Sequence, residues 1–346
     1  MQKENNKLGY ISFMSVVSCV AVVMLHTNGC FWLFEPESTY WASANVIEST
    51  LYFAVPIFFM IPGVTLLDYR KRYDTKTFFK KRANKTLIPF LIWSVIGLLV
   101  LSPFKEELSL KGMTVKRFID LVFNCKILSI YWFFIALFAL YMCIPVLSAI
   151  PEEKRKEVYT YLVIVSLLFN TALPFVFGLA DISYNIQIYV AVGTGYVDYL
   201  CAGYLLSHYE LSKKKQYMVY LAGIAGLLAH IIGTYVCSIR AGEISALYKG
   251  YTNLPCFLYS MAIFLFFKNI GQKIPDKAMR IIKTLSNYTF GVYLMHWYFM
   301  EFIMNVFKAD IYGFGFRIGV AFLIAAICMG ITAVAQKIPI LKRILP

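Results

Sequence analysis

Long uncharged apolar stretches recur along the whole chain, separated by short segments that carry most of the charge. The first stretch contains eighteen consecutive uncharged residues, from Leu8 to Leu25. About 20 apolar residues in succession are what an α-helix needs to cross a hydrocarbon core about 30 Å thick. The pattern therefore predicts an all-α fold with about ten transmembrane helices. The ten predicted segments are residues 9–34, 46–67, 86–103, 128–150, 158–178, 187–207, 216–237, 252–267, 286–307 and 314–336.

Two local irregularities are predicted within this pattern. Pro62 followed by Gly63 is expected to break the second helix near its inner end, because proline removes a backbone donor and glycine loosens the turn. Such a break can line a cavity, and the alternative is a packing kink. The loop 103–127 alternates apolar residues with charges, which indicates a short helix lying at the membrane interface.

The composition excludes a soluble domain of this size. Of the 346 residues, 60% are hydrophobic and 17% aromatic, and the mean hydropathy is +0.66. The chain is therefore predicted to be a multi-pass protein of the cell membrane. Without an internal repeat or a low-complexity linker, residues 1–346 are predicted to form a single domain. The eight cysteines have no metal-ligand spacing, and no metal is expected.

The net charge of +14 is explained by the distribution of the basic residues. With both termini placed in the cytoplasm, 24 of the 33 lysines and arginines fall on segments facing inside. This asymmetry is the positive-inside pattern, which orients membrane proteins. The charge therefore indicates topology and attraction to anionic lipids, and a nucleic-acid partner is not expected.

His26 is the first candidate for chemistry. It lies about 27 Å along the first helix at a rise of about 1.5 Å per residue, hence in the outer part of the membrane. An imidazole carried that far into an apolar helix indicates a functional site, and it is suited to act as a base on a hydroxyl group. The alternative is an interfacial histidine hydrogen-bonded to a neighbour such as Thr27 or Asn28.

A dense group of cations precedes the third predicted helix. Lys81, Arg82 and Lys85 stand at its entrance, and the last two, three residues apart, are expected to share a helix face. Cations converging there can hold phosphates, for which the guanidinium fork is best suited. The alternative is a cluster that only orients the chain and faces lipid headgroups.

Four more ionisable residues fall within predicted spans, and their presence in one bundle suggests a polar cavity. The alternative is that each is a satisfied group of the core. They are Asp198, His230, His296 and Glu301. Asp198 is expected to face the protein interior, paired with a tyrosine such as Tyr196 or Tyr199.

Taken in order, several segments resemble the acyltransferase-3 family of integral membrane acyltransferases. They are Val22-Val23-Met24-Leu25-His26, Val55-Pro56-Ile57-Phe58-Phe59-Met60-Ile61-Pro62-Gly63, Phe78-Phe79-Lys80-Lys81-Arg82 running to Ile88-Pro89, Tyr131-Trp132-Phe133-Phe134 through Tyr141 and Pro145, and Phe290-Gly291-Val292-Tyr293-Leu294-Met295-His296. The similarity covers most of the chain and rests on their order and spacing together.

This resemblance implies transfer of an acyl group, usually acetyl, from cytoplasmic acyl-coenzyme A to a sugar or other acceptor at the outer face. By the same resemblance His26 matches an essential histidine, and Arg82 and Lys85 match two arginines that hold the coenzyme A phosphates. Lysine at the second place keeps the charge but loses the fork. A further departure is Ser15, where the family commonly has an arginine.

The expected function is therefore O-acylation of a cell-surface polysaccharide or other glycan. His26 is expected to deprotonate the acceptor hydroxyl or to carry the acyl group briefly, with Asp198 or His296 polarising the path. Trp32, Tyr40 and Trp41 offer faces for a sugar ring, and anchoring at the membrane interface explains them equally well. A transporter or flippase using the same polar groups is the alternative, and Ser15 favours it. A polysaccharide polymerase is a third class, but it is expected to need a larger outer loop.

Overall fold

The computed structural model describes residues 9–346, and over this range the chain is helical, without strands. The helices are α1 (Gly9–Thr27), α2 (Thr39–Leu51), α3 (Ala54–Leu66), α4 (Thr75–Arg82), α5 (Ile88–Leu101), α6 (Val115–Phe123), α7 (Trp132–Ser148), α8 (Glu152–Val165), α9 (Leu173–Leu179), α10 (Val197–His208), α11 (Lys213–Ala241), α12 (Leu254–Gly271), α13 (Asp276–Ser286), α14 (Thr289–Phe307) and α15 (Ala321–Ala335). Three π-helical turns occur in the described range, at Ala83–Leu87, Ser166–Ala172 and Gly315–Val320. The predicted all-α fold is confirmed.

Eight helical stretches within the described range are long and apolar enough to cross a membrane. They are Gly9–Thr27, Thr39–Lys71, Thr75–Leu101, Ser129–Ser148, Glu152–Leu179, Lys213–Ala241, Leu254–Gly271 and Gly315–Ala335. Helix α14 has the required length, with 19 residues, but it is less apolar because it contains His296 and Glu301. A multi-pass membrane protein is therefore confirmed, while the number of spans and the orientation of the termini stay predictions.

The sixth predicted segment, 187–207, differs most from expectation. Helix α10 begins only at Val197 and has 12 residues, so the helix predicted for the first half of this segment is wrong. Gly195 and Tyr196 both have positive φ, at 65° and 68°, which a right-handed helix does not accommodate. Irregular chain beside a short helix is tolerated at membrane depth where it lines a cavity or is covered by protein.

The helix break predicted at Pro62 is also wrong. Helix α3 continues through Pro62 to Leu66, and the interruption lies earlier, between Leu51 and Ala54. Pro62 removes one backbone donor but does not end the helix, because neighbouring helices can support the freed carbonyl.

Gly63 instead allows α3 and α10 to cross closely. A Cβ added at Gly63 would collide with the carbonyl of Leu200, and one added at Gly203 would collide with the carbonyl of Met60. Small residues on both helices let the backbones approach, as is common in membrane helix pairs.

The chain forms two compact units. The first contains residues 9–66 and 150–330, and in it α1 packs against α3, α12, α13 and α14. The second contains residues 67–149 and 331–346. There the Phe90 ring contacts Phe134 and Phe138, and Trp93 Nε1 donates to the Ile344 carbonyl at 3.2 Å. Helix α6 confirms the short helix predicted in the loop 103–127. That the chain is one domain stays a prediction.

Candidate active site

Two histidines meet in the first unit. His26 lies in the last turn of α1, and His296 lies seven residues into α14. His26 Nδ1 is 2.8 Å from His296 Nε2, and the rings are nearly parallel with centroids 4.9 Å apart. Sequence reasoning named both residues but not their contact, since 270 positions separate them along the chain.

Hydrogen bonding determines which ring nitrogen carries each proton. His296 Nδ1 lies 3.0 Å from the Val292 carbonyl and 2.9 Å from the Tyr293 carbonyl. Carbonyl oxygens only accept, so His296 Nδ1 carries a proton and, in the neutral ring, Nε2 is an acceptor. His26 Nδ1 must therefore donate to His296 Nε2. The lone pair of the neutral His26 ring is then at Nε2.

The surroundings of the pair separate a reactive ring from a supporting one. His296 is 1% exposed, whereas His26 is partly exposed. The Trp297 ring stands edge-on to His26, with centroids 5.7 Å apart, and its Nε1 is buried without a hydrogen-bond partner in the described part of the chain. His26 is thus the more exposed member of the pair, and the Trp297 N–H beside it has no hydrogen-bond partner in the described range.

The residues after His26 do not support the interfacial alternative. Thr27 Oγ1 donates to the Arg317 carbonyl at 2.8 Å, and Asn28 Nδ2 donates to the Ala44 carbonyl at 2.9 Å. Both side chains hold the end of α1 against other segments, and the hydrogen-bond partner of His26 is His296.

Ser15 lies on α1 against the start of α14. Its Oγ is 3.2 Å from Thr289 Oγ1, and the Thr289 hydroxyl donates to the Ser286 carbonyl at 2.9 Å, so Ser15 is the donor to Thr289. At this position a small hydroxyl joins two helices.

The predicted phosphate-binding cations lie in the second unit, on α4 and the π-turn after it. Arg82 extends over the ring of Tyr141, 5.7 Å from its centroid, and its Nε is buried without a hydrogen-bond partner among residues 9–346. Lys81 and Lys85 are exposed, and the Lys81 ammonium lies 4.0 Å from the centroid of the Tyr73 ring. Arg82 is therefore the positioned cation of the three.

Asp198 is buried at the start of α10, 5% exposed, which agrees with its expected inward orientation. Its Oδ1 accepts from the backbone N–H of Tyr199 at 2.8 Å, and the Tyr199 phenol donates to the Tyr251 carbonyl. The predicted pairing with Tyr199 thus runs through the backbone N–H of that residue. Asp198 lines a separate cavity together with residues such as Asn170 and Tyr196.

Sequence reasoning missed a buried ion pair. Lys249 Nζ lies 2.8 Å from Glu48 Oε1, with side chains 3% and 4% exposed, and 3.8 Å from the centroid of the Tyr52 ring. Burial lowers the pKa of Lys249, and the nearby Glu48 carboxylate opposes that shift. The sequence offered one signal for this ion pair, because Glu48 is an acidic residue in the otherwise uncharged stretch 39–67. His230 is fully buried and its ring contacts Tyr52.

Two outer aromatic residues proposed for sugar packing differ in exposure. Trp41 is completely buried and donates from Nε1 to the Phe31 carbonyl at 3.0 Å, so its proposed role in sugar contact is wrong. Trp32 is 56% exposed.

No group of three or more His, Cys, Asp or Glu side chains placed to hold a metal ion was found in the described residues. The fold and the site together define a multi-pass membrane protein with a partly exposed imidazole hydrogen-bonded to a second one. The acyltransferase-3 family model, described as "Acyltransferase domain", matches residues 8–335. The chain belongs to this family and is a membrane acyltransferase.

One curated relative is similar to this chain over most of its length. It is the protein of Bacillus subtilis (strain 168) named "Putative membrane-bound acyltransferase YfiQ", which is 24% identical over 304 residues, or 84% of this chain and 80% of the relative. No solved structure matches the chain.

Proposed function

We propose that the protein transfers an acetyl group from cytoplasmic acetyl-coenzyme A to a hydroxyl of a cell-surface glycan, with His26 as the general base. The observation that carries this proposal is the hydrogen bond between His26 Nδ1 and His296 Nε2. Because His296 is itself tied to backbone carbonyls, His26 presents a lone pair at Nε2, where a general base needs it.

In the proposed reaction, His26 Nε2 removes the proton of the acceptor hydroxyl as its oxygen attacks the thioester carbonyl. A C–O bond forms, the C–S bond then breaks, and the His26 imidazolium returns the proton to the departing thiolate. His296 Nε2 accepts from the positively charged ring and stabilises it, because a charge-assisted hydrogen bond is stronger than a neutral one. The Trp297 indole N–H is the proposed donor to the negative oxygen of the tetrahedral intermediate.

The proposed donor site is the cation group around Arg82. The family implies an acyl donor, and coenzyme A carries phosphates that a guanidinium binds by a charge-assisted fork. The unpartnered, buried Arg82 Nε supports this role, because a buried donor without a partner is costly unless a ligand supplies an acceptor. Lys81 and Lys85 add positive charge without the fork.

The experiment is an acetyl-coenzyme A turnover assay on purified protein, comparing wild type with His26→Ala. We expect activity to be abolished, because the only accessible ring of the pair is removed. His208→Ala is the matched control, since His208 lies on α10, rather than on α1 or α14, and stacks on Tyr204 of the same helix; its removal is expected to leave turnover unchanged. Full activity in folded His26→Ala protein would remove this histidine from the mechanism.

A further inference from the structure

A cavity of about 500 Å³ in the first unit has a buried acid as its charged group. Its wall combines Asp198 with polar and aromatic side chains, among them Asn170, Phe175, Tyr189 and Tyr196. Of the described residues that line it, none is a lysine, arginine or histidine. A buried carboxylate is costly unless it is paired. Asp198 has no positively charged partner among the described residues that line the cavity.

The two oxygens of Asp198 differ in how well they are satisfied. Oδ1 accepts from the Tyr199 N–H at 2.8 Å. Oδ2 is 3.4 Å from Ser166 Oγ, at the long limit of a hydrogen bond. The single Ser166 hydroxyl proton is donated to the Gly193 carbonyl at 2.8 Å, so Oδ2 keeps unused acceptor capacity.

The surrounding chain is arranged to hold this cavity open. Asn170, in the π-turn Ser166–Ala172, donates from its amide to the Val190 carbonyl and accepts from the Val190 N–H, which fixes the irregular segment opposite. Tyr196 has a left-handed backbone, with φ of 68°, and its ring stacks on Phe59 at 4.2 Å between centroids. π-Turns and strained residues are frequent at functional sites.

The basic residue of the adjoining loop is engaged elsewhere. Residues 242–253 supply part of the cavity wall, including Ala246 and Asn253, and Lys249 is the lysine of this loop. Its ammonium bonds to Glu48 at 2.8 Å, with both side chains buried. Lys249 is therefore not available to neutralise Asp198.

We infer that this cavity binds a ligand through an organic ammonium group, which donates to Asp198 Oδ2 while aromatic rings surround its positive charge. Carboxylates and aromatic faces are the partners that recognise ammonium groups. The same charge disfavours phosphate-bearing and other anionic ligands, so this is not a second site for coenzyme A.

A series of contacts, beginning with a hydrogen bond to a backbone carbonyl, runs from this cavity toward the histidine pair. Tyr199, next to Asp198, donates to Tyr251, Tyr251 stacks on Tyr52 at 4.2 Å, and Tyr52 packs with Leu25, the residue before His26. If the proposed function is correct, the ammonium belongs to a part of the acceptor away from the reacting hydroxyl. The binding claim itself does not depend on acyl transfer.

The test is equilibrium binding of matched sugars to the purified full-length protein by saturation-transfer NMR and calorimetry. Glucosamine carries an ammonium group, and N-acetylglucosamine has the same ring without the charge. We expect saturable binding of glucosamine, at least about tenfold tighter than N-acetylglucosamine, because one charge-assisted hydrogen bond is lost. Ethanolamine, and nanodiscs with and without phosphatidylethanolamine, distinguish a free amine from a lipid headgroup.

Asp198→Asn keeps the size of the side chain and removes its charge, so it should lower glucosamine affinity about tenfold or more and leave N-acetylglucosamine binding unchanged. Ala246→Trp, at an exposed lining position, should block the cavity and abolish glucosamine binding without disturbing the buried acid. Ala241→Trp, at an exposed position of the same region outside the lining, is its control and should bind like wild type.

Equal binding of the two sugars by wild type would overturn the inference, as would glucosamine binding that survives both Asp198→Asn and Ala246→Trp. Absence of saturable binding of both glucosamine and ethanolamine would also overturn it. If Asp198→Asn does not fold, the comparison of the two sugars in wild type and the Ala246→Trp result decide. Loss of turnover in His26→Ala with amine binding intact would leave this site and the proposed acyl transfer standing separately.

Discussion

At the scale of single residues, the proposed chemistry depends on the proton at His26 Nδ1, which leaves the lone pair of the ring at Nε2. His296 Nε2 accepts a hydrogen bond from His26 Nδ1–H, and it can do so because the Nδ1–H of His296 is bonded to the carbonyls of its preceding turn. Those two carbonyls lie three and four residues before His296 on the same helix. The orientation of the supporting ring is therefore a local property of α14, whereas its contact with His26 is a tertiary one.

Replacing His296 should impair turnover more than substrate binding. In His296→Ala, His26 loses the acceptor that holds its ring and stabilises its positive charge, so we expect kcat to fall by about 10²–10⁴-fold. KM for acetyl-coenzyme A should stay near wild type, because neither ring is proposed to contact the donor phosphates. Steady-state kinetics with His208→Ala alongside checks this. An increase in KM at unchanged kcat would instead place His296 in binding.

At the scale of elements, glycine decides how closely two helices approach. The surfaces of α3 and α10 meet where Gly63 faces the Leu200 carbonyl and Gly203 faces the Met60 carbonyl. Leu200 and Gly203 belong to the short helix that also carries Asp198. This crossing therefore positions the start of α10 and the wall of the acidic cavity.

A methyl group at this crossing should destabilise the protein. Gly203→Ala would force apart two backbones, and overpacking of this kind costs about 1–3 kcal/mol. Thermal unfolding in detergent should show a lower midpoint for Gly203→Ala. Gly319→Ala should unfold like wild type, because nothing lies within 4 Å of the added Cβ. An unchanged midpoint for Gly203→Ala would mean that the helices can separate at little cost.

The segment from α4 through the π-turn Ala83–Leu87 to α5 carries the proposed donor site. Arg82 ends α4, and Lys85 lies within the π-turn, so the regular helical spacing assumed from sequence does not hold between them. A π-turn has more residues per turn than an α-helix, which changes where the second side chain points.

Truncating Arg82 should weaken the binding of acyl donors that carry the coenzyme A phosphates and should leave phosphate-free donors unaffected. For Arg82→Ala we expect KM for acetyl-coenzyme A to rise about tenfold or more at low salt, since one charge-assisted contact is lost. Turnover of phosphate-free acetyl-pantetheine should not change. The control is Lys80→Ala, at an exposed position on the same helix. Equal losses with both donors would assign Arg82 a structural role.

At the scale of the whole molecule, the basic residues predict the direction of transfer. The segments predicted to face the cytoplasm hold 24 of the 33 lysines and arginines, and this bias predicts the orientation of membrane proteins. By this prediction the basic segment 70–85, which includes Arg82, faces the cytoplasm, and α1 is predicted to run outward toward His26. The proposed reaction requires this arrangement, because its proposed donor is cytoplasmic and its proposed acceptor lies outside.

Cysteine labelling tests the orientation directly. In a background without the eight native cysteines, Lys111→Cys should react with a membrane-impermeant maleimide in intact cells. Lys80→Cys should react only after the cells are permeabilised. Both positions are exposed, so whether the reagent reaches each cysteine depends only on the side of the membrane on which that cysteine lies. The reverse labelling pattern would invert the topology and exclude the proposed direction of transfer.

Apolar periodicity and segment length were sufficient to predict the all-α membrane fold, because the hydrocarbon core imposes one length and one composition on every spanning helix. The same reasoning failed at Pro62 and in the segment 187–207. A proline in a membrane helix is accommodated or not according to its neighbours. The positive φ angles of Gly195 and Tyr196 keep α10 from beginning before Val197, and hydropathy does not record such angles.

The candidate residues could be named from the chain, since an ionisable group in an apolar segment is rare and costly. Their grouping could not, because it depends on which helix faces lie against each other. Packing brought His26 to His296, turned Lys249 toward Glu48 and left Asp198 in a cavity of its own. Residue identity thus set the chemistry that each side chain can perform, and the packing of distant helices decided which of them act together.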